Sequence, residues 1–171
     1  MKKYLIDTNI FDKILYIKDN NYFLYQELKN KIDNNIVKIY TTLYQRDELN
    51  EIANIDRKNN LLTLINELSI EYTGDVGIFD FYFNAIFIDE NTYQIYYKIL
   101  DKFGASNSDA RAAVISVLYN STLVTEDGNG RNKGLIQAFK QAITGFQVLN
   151  FKDFSKQELE RTISFQCNGK I

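Results

Sequence analysis

Short apolar runs alternate along this chain with longer segments in which apolar residues recur every three or four positions. The apolar runs predict strands at residues 3–6, 36–40, 85–88, 123–125 and 146–151. The helical spacing predicts helices at residues 10–15, 22–32, 43–58, 61–68, 93–103, 106–119, 131–142 and 155–161. Ser155 and Glu158 have the spacing of a capping box, which predicts the start of the last helix.

Alternating strands and helices predict an α/β fold, a three-layer sandwich in which helices flank a central sheet. The sheet should be mainly parallel, with about four to five strands. Residues 69–83 fit this pattern less well, because glycines lie there among aromatic and β-branched residues. They predict an irregular or hairpin-like segment. A length of 171 residues is typical of one domain, which here spans residues 1–171.

The amino-acid composition limits the chemistry that the protein can perform. The chain has no histidine, which excludes a Ser-His-Asp triad, a Cys-His pair and a zinc site with histidine ligands. The single cysteine, Cys167, cannot form an internal disulfide, which suits a reducing compartment. Carboxylates, hydroxyls, amides, amines, tyrosines or a metal ion must therefore perform any reaction.

Charge and targeting signals agree with a cytoplasmic protein. Twenty Lys and Arg residues oppose twenty-two Asp and Glu residues, so no strong positive field attracts a polyanion from a distance. The apolar run after Met1 ends at Asp7, which is too short for a signal peptide. No apolar stretch is long enough to cross a bilayer, and we expect no membrane contact.

Acidic residues follow the predicted strands, where the functional crevice of an open α/β sheet lies. Asp7 ends the first strand, Asp127 follows residues 123–125, and Asp109 lies in the first turn of a helix. Glu48 lies two turns into the helix after residues 36–40. Each could have a purely structural role as a cap, a turn residue or a solvated helix residue. Four carboxylates in one crevice would repel one another, and oxygen ligands alone favour Mg²⁺ or Mn²⁺.

Four segments in family order resemble the motifs of the PIN domain family, which includes the VapC-like toxin nucleases. They are residues 4–11 (YLIDTNIF), 47–49 (DEL), 108–110 (SDA) and 123–127 (LVTED). The resemblance implies a parallel sheet, a Mg²⁺ or Mn²⁺ site, and endonucleolytic cleavage of single-stranded or structured RNA, for example tRNA. It implies that the catalytic and metal-binding acids are Asp7, Glu48, Asp109 and Asp127, supported by Asn9 and Thr125. It also implies an antitoxin protein and a second copy of the chain as partners.

The sequence departs from the family pattern in two places. Asp47 and Glu51 flank Glu48, and either could be the second acid, with Glu51 the stronger alternative. The segment at about residues 70–84 is longer than the family's minimal pattern and predicts an insertion that extends the fold.

Other features leave the function open. Arg111, Arg131 and Lys133 are candidate phosphate contacts or solvated surface charges. The aromatic residues at 79 and 81–83 could stack on bases, but a core or a dimer surface explains them better. The rival to a nuclease is a catalytically silent PIN-like module that binds RNA or protein. A phosphatase with an aspartyl nucleophile requires a carboxylate two residues after Asp7, and Asn9 is there instead.

Overall fold

The computed structural model describes residues 1–74, 89–103, 106–129 and 134–159. Within these ranges the strands are β1 (Lys2–Ile6), β2 (Val37–Thr42), β3 (Glu71–Thr73), β4 (Thr122–Val124) and β5 (Val148–Leu149). The helices are α1 (Thr8–Asn20), α2 (Tyr22–Asp33), α3 (Leu43–Asn50), α4 (Ile55–Glu67), α5 (Glu90–Phe103), α6 (Asn107–Leu118), α7 (Leu135–Ala142) and α8 (Phe151–Glu158).

The five strands form one sheet in the order β3-β2-β1-β4-β5, and every neighbouring pair is parallel. In the central strand, Leu5 lies between Tyr40 of β2 and Leu123 of β4. The predicted α/β sandwich with a parallel central sheet is therefore confirmed. None of the helices in these ranges has the length and apolar character needed to cross a membrane.

Apolar residues cover both faces of the sheet, which explains the uninterrupted apolar run of β1. Tyr4 and Ile6 face a core built with α1, α2, α4 and α8, where Phe11 and Phe154 are fully buried. Leu5 points to the opposite face, towards a core built with α5, α6 and α7. The loops at the carboxyl ends of β1 and β4 therefore extend from strands that are buried on both faces.

Three sequence predictions differ from the structure. α4 runs through Asn59 and Asn60, which were expected to end a helix, because both face solvent while Leu61 and Leu64 are buried. The interruption lies instead at residues 51–54, where the Asn54 side chain caps α4 by accepting a hydrogen bond from the backbone N–H of residue 57.

The segment expected to be irregular begins with β3, whose three residues continue the parallel sheet beside β2. The last helix begins at Phe151, because Asn150 accepts a hydrogen bond from the backbone N–H of Asp153. Ser155 therefore lies inside α8, and the predicted capping box with Glu158 is wrong. The expected strand at residues 85–88 and most of the expected insertion lie outside the described residues.

Candidate functional site

The candidate site lies where the direction of the sheet connections reverses. From β1 the chain adds β2 and β3 on one side, and then returns to add β4 and β5 on the other. In open α/β sheets the crevice at such a switch point, outside the carboxyl ends of the strands, is where ligands bind. Asp7 follows β1 at this point, and its backbone N–H donates to the carbonyl of Val124 at 3.0 Å.

The Asp7 carboxylate is buried and accepts four hydrogen bonds from residues that the structure describes. Its Oδ1 accepts from the backbone N–H of Thr8 at 2.7 Å and from Nε2 of Gln45 at 3.1 Å. Its Oδ2 accepts from Oγ1 of Thr125 and from Nδ2 of Asn9, both at 2.6 Å. These contacts fix the orientation of the carboxylate.

Burial raises the pKa of Asp7 above its usual value, because a charged carboxylate loses its hydration there. The hydrogen bond from Thr125 opposes this rise in pKa, and the negative charge of Asp109 adds to it. Asp7 and Asp109 are therefore close enough to repel each other electrostatically. A cation between them would relieve that repulsion.

Asn9 and Thr125, which the family resemblance assigns to the support of the site, connect Asp7 to the loop after β4. Asn9 Oδ1 accepts a hydrogen bond from the backbone N–H of Glu126 at 3.1 Å. Thr125 Oγ1, while donating to Asp7, accepts from the backbone N–H of Asp127 at 3.0 Å. The ends of β1 and β4 are thus held together by side chains as well as by the sheet.

Glu48 contacts the turn that follows β1, whereas its two acidic neighbours do not. Thr8 Oγ1 donates to Glu48 Oε2 at 2.6 Å. Asp47 instead pairs with Arg46 at 3.3 Å, and Glu51 is exposed at the C-cap of α3. Of these three acids, Glu48 is therefore the one that contacts the residue after Asp7 within the described part of the chain.

Asp109 is half-buried in the first turn of α6, where it completes a capping box with Ser106. Its Oδ2 accepts from the hydroxyl of Ser106 at 2.7 Å and from the backbone N–H of Ser106 at 3.1 Å. The structural role considered for this residue therefore exists alongside its electrostatic effect on Asp7. The cap fixes one carboxylate oxygen of Asp109 at the edge of the site.

The two acids after β4 hold helix N-termini. Asp127 Oδ2 accepts from the first backbone N–H of α7, that of Leu135, at 2.6 Å. Glu126 accepts from the backbone N–H of Phe151 at 2.9 Å, at the start of α8, and forms an ion pair with Lys13 at 3.7 Å. Negative charge is favourable at both places because of the helix dipole.

The donor atoms of the four acids fit a hard divalent cation, since all of them are carboxylate oxygens. The four carboxylates are not gathered as closely as the ligands of a bound metal ion. Among the residues that the structure describes, no three acidic or cysteine side chains come together closely enough to hold a metal ion. The structure therefore places Asp7, Glu48 and Asp109 around one edge of the sheet, while Asp127 caps α7 from the adjacent loop.

Sequence reasoning missed Gln45, which is buried in α3 and contacts Asp7 directly. Its position three residues after Thr42 is the spacing of a capping box, which the structure contains. That spacing could have predicted the cap but not the contact with Asp7, which joins residues 38 positions apart.

Of the three candidate phosphate contacts, only Arg111 lies in the described residues. It is buried in α6, with its guanidinium carbon 5.4 Å from the ring centroid of Tyr44. Tyr44 precedes Glu48 by one helical turn of α3, so this contact puts Arg111 of α6 beside the helix that carries Glu48. Arg131, Lys133, the aromatic residues at 79–83 and Cys167 lie outside the described residues.

No family model matches the sequence, and neither does any curated protein, but solved structures share its fold. VapBC2 from Rickettsia felis, solved bound to a DNA fragment from their promoter, matches with a TM-score of 0.51 at 19% identity. That match covers 86% of this chain and 98% of the other. PAE2754 from Pyrobaculum aerophilum matches with a TM-score of 0.52 at 12% identity, over 95% and 98% of the two chains.

Both neighbours have the PIN fold. The fold of this chain is therefore the PIN fold, and the resemblance carried by its sequence motifs is confirmed at that level.

Proposed function

We propose that this protein is a Mg²⁺- or Mn²⁺-dependent endoribonuclease that hydrolyses RNA phosphodiester bonds, and that it acts as the toxin of a toxin-antitoxin pair. The observation that carries the proposal is the buried Asp7 carboxylate at the switch point of a PIN fold, within electrostatic range of Asp109. Burying a carboxylate within electrostatic range of a second acid costs free energy, and such groups cluster at functional sites.

The residues have distinct roles in this proposal. Asp7, Glu48, Asp109 and Asp127 would hold the metal ion, which when bound orients a water molecule and stabilises negative charge on the phosphate. Asn9 and Thr125 orient Asp7 by donating to Oδ2. The chain has no histidine, so the proton lost by the attacking water passes to a carboxylate or to solvent.

A protein antitoxin is the partner that we propose, because one fold neighbour, VapBC2, is a toxin-antitoxin complex. The edge of the sheet that carries Asp7, Glu48 and Asp109 is a surface that such a partner could cover with positively charged side chains. The RNA class, including tRNA, and the homodimer remain predictions from the family resemblance.

A second candidate function is a silent PIN-like module that binds RNA or protein without cleaving it. Two observations favour it: Asp127 is engaged as the cap of α7, and the acids in the described part of the chain are not gathered tightly enough for a metal ion. A nuclease requires that metal binding draws these side chains together.

Cleavage of end-labelled RNA, including a tRNA pool, tests the proposal with Mn²⁺, Mg²⁺ or EDTA present. The decisive variant is Asp109→Asn, and the matched control is Asp56→Asn, since Asp56 also lies in the first turn of a helix but is exposed in α4. We expect cleavage that requires metal, is lost with Asp109→Asn and persists with Asp56→Asn. Equal cleavage by both variants would contradict the proposal. RNA binding by a wild-type protein that cleaves none of these substrates would favour the silent module.

A further inference from the structure

We infer that Gln45 is a positioning residue, which holds the Asp7 carboxylate in its orientation and fixes α3 relative to the end of β1. If the proposed function holds, on which this consequence rests, Gln45 also sets the affinity of the site for the divalent cation. None of the sequence motifs includes Gln45, and its contact with Asp7 arises only in the folded chain.

The orientation of the Gln45 amide follows from its partners. The backbone N–H of Thr42 can only donate, and it lies 2.9 Å from Oε1 of Gln45. The hydroxyl of Thr41 lies 3.0 Å from the same oxygen. Oε1 therefore faces the start of α3, and Nε2 faces Asp7 Oδ1 at 3.1 Å. Since Gln45 is almost completely buried, no water competes for that donor.

Gln45 is the donor to Asp7 that comes from α3, the helix that carries Glu48. The other three donors in the described residues come from the first turn of α1 or from the loop after β4. Glu48 lies one turn after Gln45 and accepts from Thr8, the residue after Asp7. Two residues that lie one turn apart in α3 are thus hydrogen-bonded to the two consecutive residues that follow β1. This double connection sets the distance between the first and second acids.

Helix capping alone does not account for the Asp7 contact. The capping box uses Oε1 of Gln45 and its backbone N–H, and leaves Nε2 free for another acceptor. That Nε2 lies against a buried carboxylate whose orientation matters for binding a cation. Outer-shell partners of this kind commonly change metal affinity by about 10-fold to 100-fold when they are removed.

Two variants separate positioning from capping. Gln45→Met removes both the cap and the donor to Asp7, whereas Thr42→Val removes the cap from the same helix and leaves the Gln45 amide against Asp7. Each variant is combined with Asp7→Asn in a double-mutant cycle, measured by urea unfolding without metal. We expect the Gln45→Met cycle to show a coupling of about fivefold in the unfolding constant, because a charged acceptor binds the amide more strongly than a neutral one. The Thr42→Val cycle should be additive.

Direct Mn²⁺ titration supplies the second measurement. We expect Gln45→Met to weaken Mn²⁺ binding at least tenfold and Thr42→Val to leave it within twofold of wild type. Additive behaviour in both cycles would show that Gln45 is only a cap and overturn the inference. Coupling with unchanged Mn²⁺ affinity would overturn its metal consequence. If the wild-type protein binds no Mn²⁺ and cleaves no RNA, the proposed function fails, while the cycle still decides whether Gln45 positions Asp7.

Discussion

Replacing Thr125 with valine tests whether the hydroxyl of Thr125 joins the two strand ends at the site. Threonine and valine have nearly the same shape, so the effect of Thr125→Val in this fully buried position comes from loss of the hydroxyl rather than from a cavity. The substitution deletes the donor to Asp7 Oδ2 at 2.6 Å and the acceptor of the Asp127 backbone N–H at 3.0 Å. Both lost contacts lie within the site, while the apolar cores are unchanged.

The size of the effect follows from these two hydrogen bonds. A bond to a charged carboxylate contributes about 2 kcal/mol, and a partly buried backbone N–H left without its acceptor costs about 1 kcal/mol. The sum, about 3 kcal/mol, is a large share of the roughly 5–15 kcal/mol that stabilises an ordinary domain. With a urea m value of about 2 kcal/mol per molar, the unfolding midpoint should fall by about 1.5 M. The pKa of Asp7 should also rise, since the hydrogen bond from Thr125 lowers it.

Urea unfolding followed by circular dichroism measures this change, with Thr122→Val as the control. Thr122 is half-buried in β4, and its hydroxyl has no hydrogen-bond partner among the described residues. The control should shift the midpoint by less than about 0.3 M, because Thr122→Val removes no hydrogen bond between described residues. If Thr125→Val and Thr122→Val behave alike, the hydroxyl does not stabilise Asp7 and the described network is wrong.

Three further predictions concern the elements around the site. Gly134→Ala should destabilise by more than about 2 kcal/mol in thermal unfolding, because Gly134 has φ +115° and an added Cβ would lie 2.5 Å from the backbone of another glycine; Gly145→Ala, with φ +83° and open space, should show only the smaller conformational strain. Hydrogen bonds to the Glu67 carboxylate, above all the one from Lys18, lower the pKa of Glu67. They therefore stabilise the fold above the pKa that Glu67 has in the unfolded chain, and this stabilisation is lost as the pH falls through the lowered pKa. Because the Glu67 side chain is 38% exposed, Glu67→Gln should cost only about 0.5 kcal/mol at pH 7 in urea unfolding, with no difference from wild type at strongly acidic pH, and an equal loss at both pH values would contradict the ion pair. Glu158→Ala should cost about 3 kcal/mol, since this buried carboxylate anchors α8 to β1, and an unchanged urea midpoint would refute that role.

Much of the fold could be predicted from the sequence because its signals are local. The uninterrupted apolar run of β1 and the capping residues after β1 and β2 correctly predicted strands followed by helices. Element boundaries were less certain, as α4 shows: Asn59 and Asn60 favour a break locally, but Leu61 and Leu64 bury the helix against the sheet. Tertiary burial overrode the local preference there. β3 was missed because three residues give too short a pattern to be distinguished from a loop.

The candidate site, like the fold, could be predicted from the sequence only in part. The sequence by itself limited the possible chemistry, because the chain has no histidine and acids follow its strands, which makes carboxylates the candidate groups. It also predicted that Asp7 follows the first strand, at the edge of the sheet where parallel strands end, and the structure has it there. The tertiary structure alone decided that Glu48 rather than Glu51 contacts the turn after β1, that Asp127 caps α7, and that Gln45 donates to Asp7. Those contacts join residues far apart in the chain, and their geometry depends on how the helices pack against both faces of the sheet, which local spacing does not encode.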